Sequence, residues 1–373
     1  MNNLAKVILL SQSPLPSTKI GSWTTLYKNY LEDSHKIDCI VCPKPQQFFD
    51  GVTYSFTKFT FWHKLQRKFL KRKNLEYFKA LDRLLVPNEK YILQIVDNYG
   101  MVKPLKDYLV SKGAESRCYI QFFYHGFFPY NQPNSGKDFY EIIDELIVLT
   151  KDSYLQFKNV INVLPNYFSI LNNGIDTQKF KMVTTLEKIE LKHKLGFAGK
   201  NVFVWCAQDR PKKGLHVILS AWKKIYREDK NIVLIVIGCA PRERMDGVTY
   251  LGKIPNDELP KYYQVADCYL FPTLCQEGFG MSLIEALHSG NYCIASEMGG
   301  VPEVLQYGKL GNLVKNPHFV EEWEIAINDF LEGKYELPQM PDKLYSKENW
   351  NKGMNEIIEQ AKFRIAKDTV TKI

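Results

Sequence analysis

The sequence predicts an α/β protein made of two doubly wound, parallel-sheet domains. Three observations carry this. Strand-like apolar runs alternate with helical periodicity along the chain, the pattern of parallel sheets covered by helices. At 373 residues the chain is longer than the roughly 250–300 at which a single core stops growing. The alternation also breaks around Asn173–Phe180, and a fresh series of strands begins at Asn201.

Strands are expected at 6–11, 37–42, 92–96, 118–124, 145–149 and 161–164, then at 201–206, 231–238, 247–251, 267–272, 291–295 and 311–314. Val7–Leu10 and Ile232–Ile237 are unbroken aliphatic runs, as strands buried on both faces require. Residues 347–367 read as a closing helix, with Trp350, Met354, Ile357, Ile358 and Ala361 at three- and four-residue spacing. The domains are therefore drawn as 1–178, with the helix 350–373 packing back onto it, and 179–349. Sheets of this kind bind ligands beyond the carboxyl ends of their strands, so the crevice between the two Rossmann-like domains is the expected site.

A composition of 45% hydrophobic and 24% charged residues excludes disordered, collagen-like and coiled-coil classes. The longest apolar stretch, 232–240, is far short of the roughly 20 residues that span a bilayer. The N-terminus lacks the apolar region and cleavage site of a signal peptide, so a cytoplasmic protein is expected. The eight cysteines lie mostly in apolar runs and read as reduced core thiols; Cys39-x-x-Cys42 has no second pair to complete a zinc site. Of the net charge of +8, most sits in the first half, where residues 1–150 hold 20 Lys+Arg against 14 Asp+Glu. The source is 58–73, with Lys64, Arg67, Lys68, Lys71, Arg72 and Lys73 interleaved with Phe59, Phe61, Trp62 and Phe69. Two readings stand for it: attachment to the anionic inner face of a membrane, or a solvated helix with its aromatics turned inward. No nucleic-acid motif accompanies the charge.

There is no Gly-x-Gly-x-x-Gly after the first strand and no Gly-x4-Gly-Lys-Ser/Thr in the chain, which counts against nicotinamide and P-loop enzymes. The informative segment is Phe271–Gly290. A strand ending near Phe271 leads into a loop with Gly278 and Gly280, and a helix starts at Met281 or Ser282 and stops at Gly290. The free N–H groups and positive dipole end of such a helix favour an anion, and the glycines let backbone approach it closely. Ser282 and Glu285 also have the spacing of a capping box. A second cationic element, Ala207–Gly214, directly follows the strand 201–206 and carries Gln208, Arg210, Lys212 and Lys213. Such a turn presents cations to an anion. No Asp-x-Asp occurs, so no bound metal is expected there.

Glu277 and Glu285, embedded in Glu-Gly-Phe-Gly-x-Ser-x-x-Glu-Ala and followed by Gly299-Gly-Val-Pro-Glu303, closely resemble the signature of the family-4 retaining glycosyltransferases (glycosyl transferases group 1) of the GT-B fold. The resemblance is strong over about 145–315 and weak over 1–140, the half that chooses the acceptor. It implies that Glu277 lies beside the donor sugar and Glu285 binds the ribose hydroxyls, with Gly278, Phe279, Gly280, Met281 and Ser282 lining the donor. Lys213 matches the family's diphosphate-clamping lysine. Gln208 stands where an arginine is usual, leaving Arg210 or Lys212 as the second cation. His125, before Gly126 at the end of the strand 118–124, resembles the family's histidine beside the reacting centre. Gly21 and Ser22 stand in for its phosphate-approaching glycine pair. Ile254 in Leu251–Pro255 resembles the loop that meets the base, Asn173–Asp176 with Phe180 the junction element, and Trp350 the crossing-back helix. Asp97 and Asn98 are candidates for the acceptor hydroxyls.

The resemblance implies a retaining, metal-independent transfer of a sugar from a UDP-linked donor to a hydroxyl of a glycan or lipid-linked acceptor, in cell-surface polysaccharide synthesis and without a cofactor. The competing readings are a sugar-nucleotide epimerase or phosphorylase of the same fold, and an inactive glycan-binding scaffold.

Overall fold

The computed structural model describes residues 5–17, 23–58, 74–127, 137–242 and 244–367. It divides into two compact units, Met1–Asn172 with Lys347–Ile373, and Asn173–Ser346. Gly21, Ser22 and the basic stretch from residue 59 onward lie outside the described residues.

The first unit is built on strands β1 (Lys6–Leu10), β2 (Cys39–Cys42), β3 (Thr53–Phe56), β4 (Tyr91–Val96), β5 (Cys118–Tyr124), β6 (Glu145–Val148) and β7 (Tyr167–Ile170). They pair in parallel in the order β3-β2-β1-β4-β5-β6-β7. Between them run helices α1 (Trp23–Leu31), α2 (Leu75–Leu81), α3 (Tyr99–Ser111), α4 (Lys137–Ile142) and α5 (Lys151–Val160). All six residues of β4 are buried, because helices shield the sheet; Leu93, Ile95 and Phe122 pack there with Met101, Leu105 and Phe157.

The second unit repeats the plan with β8 (Asn201–Cys206), β9 (Ile232–Ile237), β10 (Val248–Gly252), β11 (Cys268–Phe271), β12 (Tyr292–Ser296) and β13 (Asn312–Val314). Their order is β10-β9-β8-β11-β12-β13, again parallel. Its helices are α6 (Thr185–Lys194), α7 (Leu215–Glu228), α8 (Leu259–Val265), α9 (Met281–His288), α10 (Val301–Val304) and α11 (Val320–Leu331). Trp205, Trp222 and Trp323 fill its core. In each unit the strand order reverses beside the first strand, between β1 and β4 and between β8 and β11. Such switch points leave a crevice at the carboxyl ends of the strands.

The closing helix α12 (Lys347–Lys367) belongs to the first unit. Trp350 meets Tyr27 and Tyr30 edge-on, each at 5.6 Å between ring centroids. Farther along, Arg364 reaches the fully buried Glu145 at 2.9 Å. That carboxylate also accepts from Gln121 at 2.8 Å and Ser169 at 2.5 Å. A buried charge is tolerated only when paired and hydrogen-bonded, which explains polar residues inside an otherwise aliphatic sheet.

Two strand expectations need correction. Residues 161–164 are not a strand: Ile161 donates its N–H to Phe157 at 2.8 Å and so closes α5, and pairing starts only at Tyr167 opposite Glu145. The strand β3 was not expected at all. Both β3 and β7 are edge strands, and half-exposed residues there give weak apolar patterning.

All eight cysteines are free, five of them buried. Burial pushes the Cys39 and Cys42 thiols up to about 11, where they are protonated and unreactive at neutral pH. Among the described residues no acid, histidine or cysteine cluster could hold a metal ion, and no helix is long and apolar enough to cross a membrane.

Candidate functional site

The loops after β8 and β11 flank the switch point of the second unit, and the sequence binds them to each other. After β8 the chain makes a tight turn at Pro211–Lys213 and enters α7 through Gly214, whose φ is +70°. A Cβ at Gly214 would stand 1.8 Å from the Pro272 carbonyl oxygen, so only glycine permits this approach. Leu274 N–H donates to the Lys212 carbonyl at 2.8 Å, and the Trp205 indole donates to that of Lys213 at 3.2 Å.

On this frame the Lys213 ammonium pairs directly with the Glu277 carboxylate, and Thr273 Oγ1 lies 3.4 Å from the same oxygen. The Lys213 and Glu277 side chains are 21% and 20% exposed, so the pair is shielded yet open to a ligand. The Glu277 backbone is fixed from the other side: Gly300 N–H donates to its carbonyl at 2.8 Å, and a Cβ on Gly299 would come within 2.3 Å of that oxygen. The Gly299-Gly300 pair is therefore a seat for the Glu277 loop.

Gly280, at φ +91°, is the N-cap of α9 and provides no side-chain cap. Ser282 already lies inside the helix, so the capping-box alternative for Glu285 falls. Glu285 instead accepts from the Tyr263 hydroxyl of α8 at 3.3 Å. Burial pushes its carboxyl up to about 7, against the opposing pull of Tyr263 and Lys179. Lys179 itself is paired with Asp257 at 2.8 Å. Gly278 is buried, Met281 and Ser282 are half-buried, and the Phe279 ring turns into the unit to meet Tyr345 at 5.1 Å. Phe279 can therefore offer a ligand only its main chain. Ile254 is half-buried in the loop after β10.

Gln208, Arg210 and Lys212 are exposed. The neighbouring Asp209 pairs with Arg242 at 2.6 Å; a hydrogen bond from Cys239, then Arg242, holds its carboxyl below the usual range. Arg242 is a cation of this edge that sequence reasoning missed. It lies in Pro241–Met245, directly after β9, and a charged run at a strand end was the available signal.

In the first unit, the adjacent ends of β4 and β5 bring Asp97 and His125 together. Asp97 Oδ1 accepts the His125 backbone N–H at 2.8 Å, and Oδ2 stands 3.3 Å from His125 Nδ1. Asn98 precedes α3 without capping it through its side chain. Each unit thus carries its own cluster of the expected residues at its strand ends.

Residues 187–348 match the family model described as glycosyl transferases group 1. The chain is 27% identical over 150 residues to a phosphatidyl-myo-inositol mannosyltransferase of Mycobacterium tuberculosis, a match covering 38% of each chain. It is 27% identical over 175 residues to that organism's GDP-mannose-dependent alpha-(1-6)-phosphatidylinositol monomannoside mannosyltransferase, covering 42% of this chain and 45% of the relative. The matches thus span less than half the length of these relatives. Among solved structures, a glycosyltransferase from Rickettsia africae superposes with a TM-score of 0.73 at 16% identity, covering 96% of this chain and 99% of that one. Anabaena Alr3699/HepE in complex with UDP and glucose gives 0.66 at 15% identity, covering 99% and 100%. The family match falls on the segment that carries Lys213, Glu277 and Glu285, so the second unit is similar to the group 1 glycosyl transferases, and the chain as a whole shares its two parallel sheets, the GT-B fold, with these structures.

Proposed function

We propose that this protein is a retaining, family-4 hexosyltransferase that moves a sugar from a nucleotide-sugar donor, UDP-linked, to a hydroxyl of a glycan or lipid-linked acceptor in cell-surface polysaccharide synthesis. The observation that carries the reading is the Lys213–Glu277 pair set just ahead, along the chain, of the uncapped start of α9, the helix that carries Glu285. A departing nucleoside diphosphate gains negative charge. An ammonium in a shielded site and the amide end of a helix compensate that charge without reorganising. Lys213 is neutralised by Glu277; a bound diphosphate takes over the lysine and releases Glu277 toward the sugar. Glu285 receives the ribose hydroxyls, and His125 contacts the sugar. Arg210, Lys212 or Arg242 adds the second cation in place of Gln208, and no divalent metal is required.

Supporting the donor class, one relative is named as GDP-mannose-dependent and one structural neighbour was crystallised with UDP and glucose. Isothermal titration with UDP and with GDP tests the assignment. We expect tighter binding of UDP, weakened at least about tenfold in both Lys213→Ala and Glu285→Ala. Wild-type affinity in both variants overturns the site; tighter binding of GDP overturns the donor base alone. Transfer that survives chelation supports metal independence. Attachment to an anionic membrane through 58–73, on its cytoplasmic face, is a separate proposal. Replacing Arg67, Lys68, Lys71 and Arg72 by Gln should reduce co-sedimentation with anionic vesicles, and unchanged co-sedimentation rejects it.

A further inference from the structure

Asp97 adopts φ +50°, a left-handed conformation that non-glycine residues seldom take and that Asp and Asn tolerate best. Strained positions of this kind persist where the surroundings over-determine them. Here the surroundings are the neighbouring strand: Asp97 donates its own N–H to the Phe123 carbonyl at 3.0 Å, and its carboxylate spans both the backbone N–H and the ring of His125. The turn that follows is fixed as well: a Cβ at Gly126 would meet the Tyr124 ring at 2.2 Å, so the glycine after His125 is what lets the Tyr124 ring fold back beneath the chain, where it packs on Tyr99 and Phe157.

His125 Nδ1 is shut off from solvent and has no aligned hydrogen-bond partner, while the Asp97 carboxylate oxygen stands 3.3 Å away. An unprotonated Nδ1, itself shut off from water, would set its lone pair against the Asp97 carboxylate. A protonated Nδ1 is attracted to it. Nδ1 therefore carries the proton, and the neutral ring offers Nε2 as an acceptor.

We propose that Asp97 is a positioning residue: it locks His125 in the Nδ1–H tautomer, so that the ligand group opposite Nε2 is a hydrogen-bond donor, namely a sugar hydroxyl. The second half of this statement rests on the reading of His125 as a sugar contact; the first half does not.

The test uses the full chain labelled with 15N-histidine and long-range 1H–15N correlation at about pH 8, above the ordinary imidazole range. The His125 signals are assigned by their loss in His125→Gln. The wild type should show the Nδ1–H pattern. In Asp97→Asn, which suits the left-handed backbone, the amide turns a donor toward Nδ1 and the ring should switch to Nε2–H, as carboxylate-to-amide changes beside a histidine do. With a nucleotide sugar that the wild type turns over, the same variant should lose at least about tenfold in kcat with donor KM changed less than about twofold. A wild-type ring in the Nε2–H form, or an unchanged tautomer in Asp97→Asn, overturns the positioning role. If the variant does not fold, the wild-type spectrum alone decides. A switched tautomer with unchanged kcat upholds the Asp97–His125 lock and overturns the sugar contact.

Discussion

The two units share a sheet plan, yet their strand ends are organised differently. In the second unit the switch point is made by backbone: Gly214 against Pro272 and Gly299 against Glu277 are approaches no side chain would allow. Lys213 and Glu277 ride on loops fixed by those approaches. In the first unit the corresponding edge depends on a side-chain pair, Asp97 with His125. On the function proposed above, the contrast means that nucleotide binding and sugar positioning are built by separate means and should fail separately.

The largest effect should come from Lys213→Ala, which removes the ammonium facing the leaving group. A loss of about 10²–10³ in kcat is expected, the cost of one preorganised charge-stabilising donor. Glu277→Gln sharpens the point: it should lower kcat but leave UDP binding as tight or tighter, because Lys213 is no longer neutralised. Steady-state rates and titration read the two effects, and weaker UDP binding in Glu277→Gln would show that the pair does not open on binding.

Next comes Gly214→Ala. The added Cβ meets the Pro272 carbonyl at 1.8 Å, at a φ of +70°. Thermal unfolding should show a loss of about 2 kcal/mol or more; wild-type stability would mean that the two loops are not packed as described.

A smaller effect is the pH dependence set by Glu285. Burial raises its carboxyl to about 7, so between the ordinary carboxylate range and 7 the folded chain holds a proton that the unfolded chain has lost. Stability of the unliganded protein should fall as pH rises through this window, and Glu285→Gln should flatten the slope. UDP affinity should run the opposite way, rising as Glu285 ionises, since a carboxylate accepts from ribose hydroxyls better than a carboxylic acid does. Calorimetry at several pH values checks both signs.

The smallest effect is the most discriminating for the comparison. His125→Ala should change UDP affinity by less than about twofold while lowering transfer at least about tenfold. Equal losses in both would merge the two clusters into one function.

How much of this was legible in the sequence follows from the same contrast. The βα alternation is legible directly, since β9 is a continuous aliphatic run and β4 is apolar but for Gln94. Lys213, Glu277, Glu285 and their glycines were legible because backbone constraints fix both residue type and spacing. The edge strands β3 and β7 were missed or misplaced because half their residues meet solvent. The Asp97–His125 pair spans 28 residues of sequence and exists only because β4 and β5 run side by side, with Val96 opposite Phe123. Arg242 is legible only as part of a charged run; its pairing is not, because its partner Asp209 lies beyond a different strand. Ser282 and Glu285 misled through spacing, because the helix begins at Gly280 instead.

The most direct measurement is a crystal structure with UDP bound. The pyrophosphate should lie within hydrogen-bonding distance of Lys213 and the first amides of α9, with the ribose on Glu285 and the Lys213–Glu277 pair opened. A nucleotide seated away from residues 277–285, or a pair still closed beneath it, would contradict this assignment of the site.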